Sequence, residues 1–208
     1  MNWSKMTLNE FQAALASSAP TPGGGTAAAV ALGQAAALAS MVCDLTLGKE
    51  KWEAGWAIAQ DVHDMAAPMM NRAMELAAED SDAFDRVMEG YAMPKISDEE
   101  KDVRREAIRT ATLTAAEVPF ETARLALELL EALPQLARDG NANAVTDVGV
   151  AGLLASAAAK GALFNVDINL AGLPDDMAAS LKTQSQIVGE RTRIASRAVM
   201  DEVRFRLT

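Results

Sequence analysis

Along most of this 208-residue chain, apolar residues recur every three or four positions, the spacing that puts them on one face of an α-helix. Residues 7 to about 17 carry Leu8, Phe11, Ala14 and Leu15 on such a face, and Thr7 with Glu10 has capping-box spacing. The run Ser18-Ala19-Pro20-Thr21-Pro22-Gly23-Gly24-Gly25 ends that helix. Residues 26 to 47 are almost all small or apolar, which predicts a central helix buried on nearly all sides, with Thr26 as its N-cap. Residues 50 to about 78 read as a long helix that Pro68 kinks or splits. Asp80, Asp82 and Asp85 then give an acidic start to a further helix ending near Gly90.

Ser97 and Glu100 form a second capping box, opening a helix to about Glu117. Pro119 marks a kink or a new start, and residues 134 to 137 one more short turn. Thr146 and Asp147 cap a run of small residues from 148 to 159. Residues 165 to 170 alternate like a strand but have no strand to pair with, so they read as helix continuation or an extended edge. Residues 175 to about 207 form one long C-terminal helix. The pattern is all-α, an up-and-down bundle of long helices in a single domain over residues 1–208.

Composition narrows what such a bundle can do. Half the residues are hydrophobic but only 4% are aromatic, so the core is built from Ala, Leu, Met and Val and lets helices approach closely. A net charge of -10 argues against nucleic acid and anionic membranes as partners, since both need a basic face. The single cysteine, Cys43, excludes an intrachain disulfide and fits a reducing, cytoplasmic setting. The first six residues lack the apolar core of a signal peptide. The apolar run from 26 to 47 is long enough to cross a membrane, but it is mostly alanine, contains Gln34 and Asp44 and lacks basic and aromatic flanks, so it reads as a core helix.

Several stretches carry candidate chemistry. Gly23, Gly24 and Gly25 feed directly into a helix whose first N–H groups have no partner within it, a ready cradle for an anion or a polar ligand. Gly23, Gly25 and Ala28 satisfy the dinucleotide pattern G-x-G-x-x-A, but a helix and two prolines precede them where that pattern needs a strand. Gly48-Lys49 is not the end of a phosphate loop, because Glu50 stands where Ser or Thr is required. His63 is alone and cannot build a multi-histidine metal site. Lys49 admits two readings: a cation complementing a helix C-terminus, or a partly desolvated lysine serving in proton transfer. Asn141, Asn143, Asp147, Asn165 and Asn169 lie in otherwise apolar sequence. Their polar groups need partners, either one another or a flat heterocycle rich in amide-like donors and acceptors.

Taken in order, these blocks resemble one family. Ala19-Pro20-Thr21-Pro22-Gly23-Gly24-Gly25 with its Ala-rich helix, Leu45-Thr46-Leu47-Gly48-Lys49, Glu79-Asp80 with Ala83-Phe84 and Val87-Met88, and Met93-Pro94-Lys95 are similar to the cyclodeaminase/cyclohydrolase family of folate one-carbon enzymes. So are Ala116-Glu117-Val118-Pro119, Gly140-Asn141-Ala142-Asn143, Asp147-Val148-Gly149-Val150-Ala151 and Asn165-Val166-Asp167-Ile168-Asn169. The resemblance implies an all-helical homodimer with folate bound between subunits, and no metal or redox cofactor. It implies methenyltetrahydrofolate cyclohydrolase, opening 5,10-methenyltetrahydrofolate to 10-formyltetrahydrofolate, or formiminotetrahydrofolate cyclodeaminase, which releases ammonia. A chain of this length without a formiminotransferase domain favours the cyclohydrolase. A folate-binding scaffold without catalysis is the third reading. Lys49, Asp147 and Asp80 are the expected proton-handling residues. The turn Thr21, Pro22, Gly23, Gly24, Gly25, with Lys95, Asn141, Asn143, Asn165 and Asn169, is expected to bind the substrate. Asp44, Glu50, Trp52 and Thr146 depart from the residues common in the family at those positions.

Overall fold

In the computed structural model, which describes residues 3–208, both sequence-predicted capping boxes are formed. Thr7 caps α1 (Leu8–Leu15) and Ser97 caps α4 (Asp98–Asp139), each accepting from the backbone N–H three residues on while the glutamate there bonds back. The expectation of a leaderless N-terminus falls partly on Met1 and Asn2, outside the described residues. The remaining long helices are α2 (Gly24–Thr46), α3 (Trp56–Ala92), α5 (Val145–Leu170) and α6 (Asp175–Leu207), and no strand occurs among the described residues.

Neither Pro68 nor the acidic run at Asp80 divides the chain. Both lie inside α3, as Pro119 and Pro134 lie inside α4. An interior proline costs about 3 kcal/mol. Val62, Ala66, Met69 and Ala73 are buried on both sides of Pro68, and Ala116, Ala123, Leu127 and Leu130 on both sides of Pro119. Each large apolar side chain buried on such a stripe contributes about 1.5–3 kcal/mol, so one continuous helix outweighs the missing bond. Thr26 is not the N-cap of α2. Gly23 holds that position with no side-chain bond, and the Thr26 hydroxyl is turned to another helix. Thr146 and Asp147 likewise fall inside α5, which starts at Val145 and runs through residues 165 to 170 as plain helix.

Helices α2 to α5 alternate in direction. The start of α2 lies beside Asp80 in the middle of α3, and its end lies beside Trp56, whose indole donates to Thr46 O at 3.1 Å. The end of α4 meets the start of α3 so closely that an ideal Cβ at Gly55 would collide with Asp139 O and sit 2.7 Å from its carbonyl carbon. The end of α5 lies against the start of α2, with Gly161 facing Ala28. α6 packs along α4 and α5, where Gly149 and Gly152 admit Val203 and Val199. The apolar core runs through α2 to α6 and contains Cys43, whose thiol is pushed up to about 12 by burial. The central helix is thus largely buried, but not on nearly all sides as its pattern predicts: Gln34, Ala37, Met41, Asp44 and Leu45 leave one face exposed. α2 and Ala142–Leu170 are long and apolar enough to cross a membrane by length and composition, and both are packed within the bundle.

Because α3 and α4 are much longer than α2, their joined ends overhang the point where α2 begins. That step in the bundle creates the candidate site.

Candidate functional site

The Pro-Gly turn, the overhanging α3–α4 pair and the end of α5 enclose a cavity of about 350 Å³. Its walls are Pro20, Thr21, Gly23, Gly24 and Gly25 from the turn, Asp80, Phe84 and Val87 from α3, Ala115 from α4, and Asn165, Ile168 and Asn169 from α5. Asp80, Phe84 and Val87 share a face of α3 because they are spaced four and three residues apart.

Among the described residues, Asp80 is the one titratable group lining the cavity. Its Oδ2 accepts the Thr26 hydroxyl at 2.9 Å, and the Thr26 backbone N–H bonds it as well. The first bond within α2 is donated by Ala27 to Gly23 O. The N–H groups of Gly24, Gly25 and Thr26 therefore precede the intrahelical ladder. Asp80 supplies from α3 the cap that Gly23 cannot supply from its own side chain. A carboxylate at a helix N-terminus is favoured by the helix dipole. Even so, burial is the larger influence and holds the Asp80 carboxyl above its usual range, against the two bonds from Thr26. A half-buried acid with a raised pKa in a cleft is suited to take up and return a proton.

Glycine at position 25 is what lets the carboxylate come this close. An ideal Cβ there would collide with Asp80 Oδ1 and lie 2.7 Å from its Cγ. At Gly24 the same atom would meet only Asn165 Nδ2, at 3.7 Å. Across the cavity, Asn165 Nδ2 donates to Gly161 O at 2.9 Å, and Asn169 Nδ2 donates to Ala115 O at 2.8 Å and to Asn165 O at 2.9 Å. With the amide nitrogens fixed on backbone carbonyls, each carboxamide has its oxygen left to offer as an acceptor.

The other expected residues sit elsewhere. Lys49, Asn141, Asn143 and Asp147 gather at the opposite end of α2, about 33 Å away for a helix of 23 residues. Gly48, at φ 69°, turns the chain out of α2 in the left-handed region open to glycine, and Lys49 follows it, exposed. Asn141 acts as a clip there: its Nδ2 donates to Leu45 O at 2.8 Å, its N–H to Thr46 Oγ1 at 3.0 Å, and its Oδ1 accepts Asn143 N–H at 2.9 Å. Lys95 is exposed in the turn between α3 and α4 and does not line the cavity. His63 lies on the surface of α3, 3.6 Å from Asp44.

Thr26, Phe84, Val87, Ala115 and Ile168 join the site without having been singled out for it by residue type. The periodicity of α3 contains the Asp80-Phe84-Val87 face, but the proline and acidic run suggest a helix start there and hide it.

Comparison with known proteins places the chain in a family. Residues 7–187 match the family described as Formiminotransferase-cyclodeaminase. The chain is 42% identical over 169 residues to "Methenyltetrahydrofolate cyclohydrolase" of Methylorubrum extorquens, covering 81% of each protein. It is 34% identical to "Formimidoyltransferase-cyclodeaminase" of Gallus gallus over 81% of this chain, and spans about a third of that longer protein, 31%. The crystal structure of formiminotetrahydrofolate cyclodeaminase from Thermotoga maritima superposes with a TM-score of 0.81 at 28% identity, over 98% of this chain and 96% of that one. The chain belongs to the formiminotransferase-cyclodeaminase family.

Proposed function

We propose that this protein is a methenyltetrahydrofolate cyclohydrolase, adding water to 5,10-methenyltetrahydrofolate to give 10-formyltetrahydrofolate. The observation that carries the reading is the Asp80 carboxylate, raised by burial and set in a cavity of glycine backbone and carboxamides. Similarity to the Methylorubrum cyclohydrolase over four fifths of both chains supports it. The substrate is a flat amidinium cation, and an ionised carboxylate beside it stabilises that charge. Water adds to the methenyl carbon and loses a proton, forming a tetrahedral carbinolamine. N5 then takes up a proton as its bond to that carbon breaks, and the carbinol hydroxyl gives its own proton to solvent as the formyl C=O forms on N10. Asp80 accepts the first proton and returns it to N5, and the hydroxyl proton is the one released overall, which balances the charge of the cation consumed. The N–H groups at the start of α2 and the oxygens of Asn165 and Asn169 hold the pterin edge.

A second reading, formiminotetrahydrofolate cyclodeaminase, is favoured by the close superposition on the Thermotoga cyclodeaminase. The two are separated by one absorbance measurement. Loss of the near-ultraviolet band of methenyltetrahydrofolate with enzyme reports hydrolysis. Its growth from formiminotetrahydrofolate, with ammonia release, reports cyclodeamination. Absence of both would leave a folate-binding scaffold.

The proposal includes a homodimer in which Lys49 and Asp147 of one subunit complete the Asp80 cavity of the other. Val150, Leu153, Phe164 and Ile168 form an exposed apolar stripe along α5, the last two 74% and 71% accessible, with Met41 and Leu45 on neighbouring α2. Two copies of α5 packed antiparallel on this stripe bring each Lys49 end to a partner's Asp80 end. Lys49→Ala and Asp80→Asn should each be inactive alone. Mixed and re-equilibrated in equal amounts, they should recover about a quarter of wild-type activity, since half the dimers are mixed and each mixed dimer has one intact site. No recovery would place both residues' work within one subunit.

A further inference from the structure

The back of the Asp80 cavity is wired to the N-terminal segment. Trp3 opens a short 3-10 turn, Trp3–Lys5, that precedes the Thr7 capping box. Its indole is 3% exposed and meets Phe11 edge-on, with ring centroids 6.2 Å apart, against Ala29, Leu76 and Ala77. Packing alone would account for a phenylalanine at this position. The indole nitrogen, however, donates to Ser81 Oγ at 3.0 Å. Ser81 Oγ lies 3.2 Å from Thr26 Oγ1, and Thr26 Oγ1 is the group bonded to Asp80 Oδ2 at 2.9 Å. Ser81 and Thr26 are both buried, so the two hydroxyls that link Trp3 to Asp80 are shielded from bulk water.

The two ends of the chain differ in kind. An indole N–H only donates, and an ionised carboxylate only accepts. Thr26 has one hydroxyl proton, and it goes to Asp80. Ser81 must then give its own proton to Thr26, and its oxygen accepts from Trp3. Reversing the chain, with a proton on Oδ2 donated back to Thr26, would drive Thr26 to donate into Ser81. The Ser81 oxygen would then face two donors while its own proton lost its partner.

We infer that Trp3 is a positioning residue that fixes the direction of this chain, so that Asp80 is always hydrogen-bonded at Oδ2 and exchanges its proton only at Oδ1, the oxygen turned toward Gly25. The inference rests on Asp80 serving the site as proposed above. It gives the N-terminal segment a part in the chemistry although Trp3 does not touch the cavity. The electrostatic setting keeps the effect readable. The residues that line the cavity with Asp80 from α2, α4 and α5 carry no charge. Glu79, the adjacent acid on α3, is held by both terminal nitrogens of Arg72, which also binds Glu121 of α4.

The test is Trp3→Phe, which keeps a buried ring and removes the N–H. Replacement of Trp3 by benzothienylalanine, a near-isostere with sulfur in place of the N–H, serves if the phenylalanine variant folds poorly. The carboxylate of Asp80 is followed by carbon NMR, assigned by difference from Asp80→Asn, and its titration is compared with the pH profile of turnover. Without the indole donor, Ser81 is free to accept from Thr26, and Asp80 loses an obligatory bond to its ionised form. Its titration midpoint should rise by roughly half a pH unit or more, and the acid limb of the activity profile should move with it. Ser81→Ala should raise the midpoint as well, and Trp3→Phe added to Ser81→Ala should add little, because the chain is already cut. An Asp80 midpoint unchanged by loss of the N–H would reduce Trp3 to packing. Should Asp80→Asn keep full turnover, the site assignment falls, while the NMR comparison still decides whether Trp3 governs the carboxyl.

Discussion

The two ends of α2 hold similar residue types and use them in opposite ways. At the start, glycine backbone is kept bare so that a carboxylate can approach it, and a cavity remains beside the pair. At the end, glycine backbone is kept bare so that two helices can touch, with Gly55 against Asp139 and Gly140 against Thr46 Oγ1. Asparagines follow the same division. Asn165 and Asn169 border open space, whereas Asn141 closes a junction by bonding Leu45, Thr46 and Asn143. A glycine or an asparagine in an apolar stretch therefore says that backbone or a polar partner comes near. What stands behind it, a cavity or another helix, decides between binding and architecture.

The largest effect expected on this contrast is at Asp80. Asp80→Asn should lower turnover by about 10²–10⁴-fold if the carboxyl moves the protons. Stability should change the other way. Burial raises the folded pKa of Asp80 above its unfolded value, so its contribution to stability is greatest while it is protonated and falls as pH rises through the raised folded value. Above that value the ionised group opposes folding, and the asparagine variant should melt higher than wild type at neutral pH. Thermal melts across pH, with kcat on the same preparations, check both halves. A variant that loses turnover and stability together would make Asp80 architectural.

Gly25→Ala is next. The new methyl must displace Asp80 or lift the turn, and the carboxyl is tied to Thr26 on its other side. Turnover should fall by about 10²-fold, as a misplaced catalytic group costs, with about 1–3 kcal/mol lost from overpacking. Gly55→Ala, at the other end, meets carbonyl backbone and should cost a similar 1–3 kcal/mol, roughly, by urea unfolding. Its kcat per folded molecule should stay much closer to wild type than that of Gly25→Ala.

The same contrast shows what was legible in the sequence. Signals that act within one turn were readable. Thr7 with Glu10 and Ser97 with Glu100 build the boxes their spacing predicts, and residues 26 to 47 fall in the central helix their composition predicts, buried on all but one face. The acidic run at Asp80 misled, and neither Pro68 nor Pro119 splits its helix, because local preference for a break is outweighed by apolar stripes continuing on both sides. Thr26 looked like a cap since Ser and Thr there bond their own helix. Its partner is instead an aspartate 54 residues away. Asp80 and the glycine turn were both candidates, but periodicity along one helix carries no record of which residue on another helix it faces. Trp3 was invisible for the same reason: Ser81, the group its indole finds, lies 78 residues on.

The smallest effect separates wall from chemistry. Gly24 and Gly25 are adjacent and both line the cavity, yet a methyl at Gly24 meets only Asn165 Nδ2 at an ordinary contact distance and leaves Asp80 alone. Alanine is also the better residue in a helix, by up to about 1 kcal/mol in an interior and less in the first turn. Gly24→Ala should therefore fold at least as stably as wild type. It narrows the cavity beside Asn165, so KM should rise, by less than about tenfold, while kcat changes little, the pattern of lost binding that is equal in ground and transition states. A kcat loss at Gly24 as deep as at Gly25 would show that the N–H groups of this turn work in the chemical step, as donors to the oxygen that develops charge on the one-carbon unit, and not only as a surface on which the folate lies.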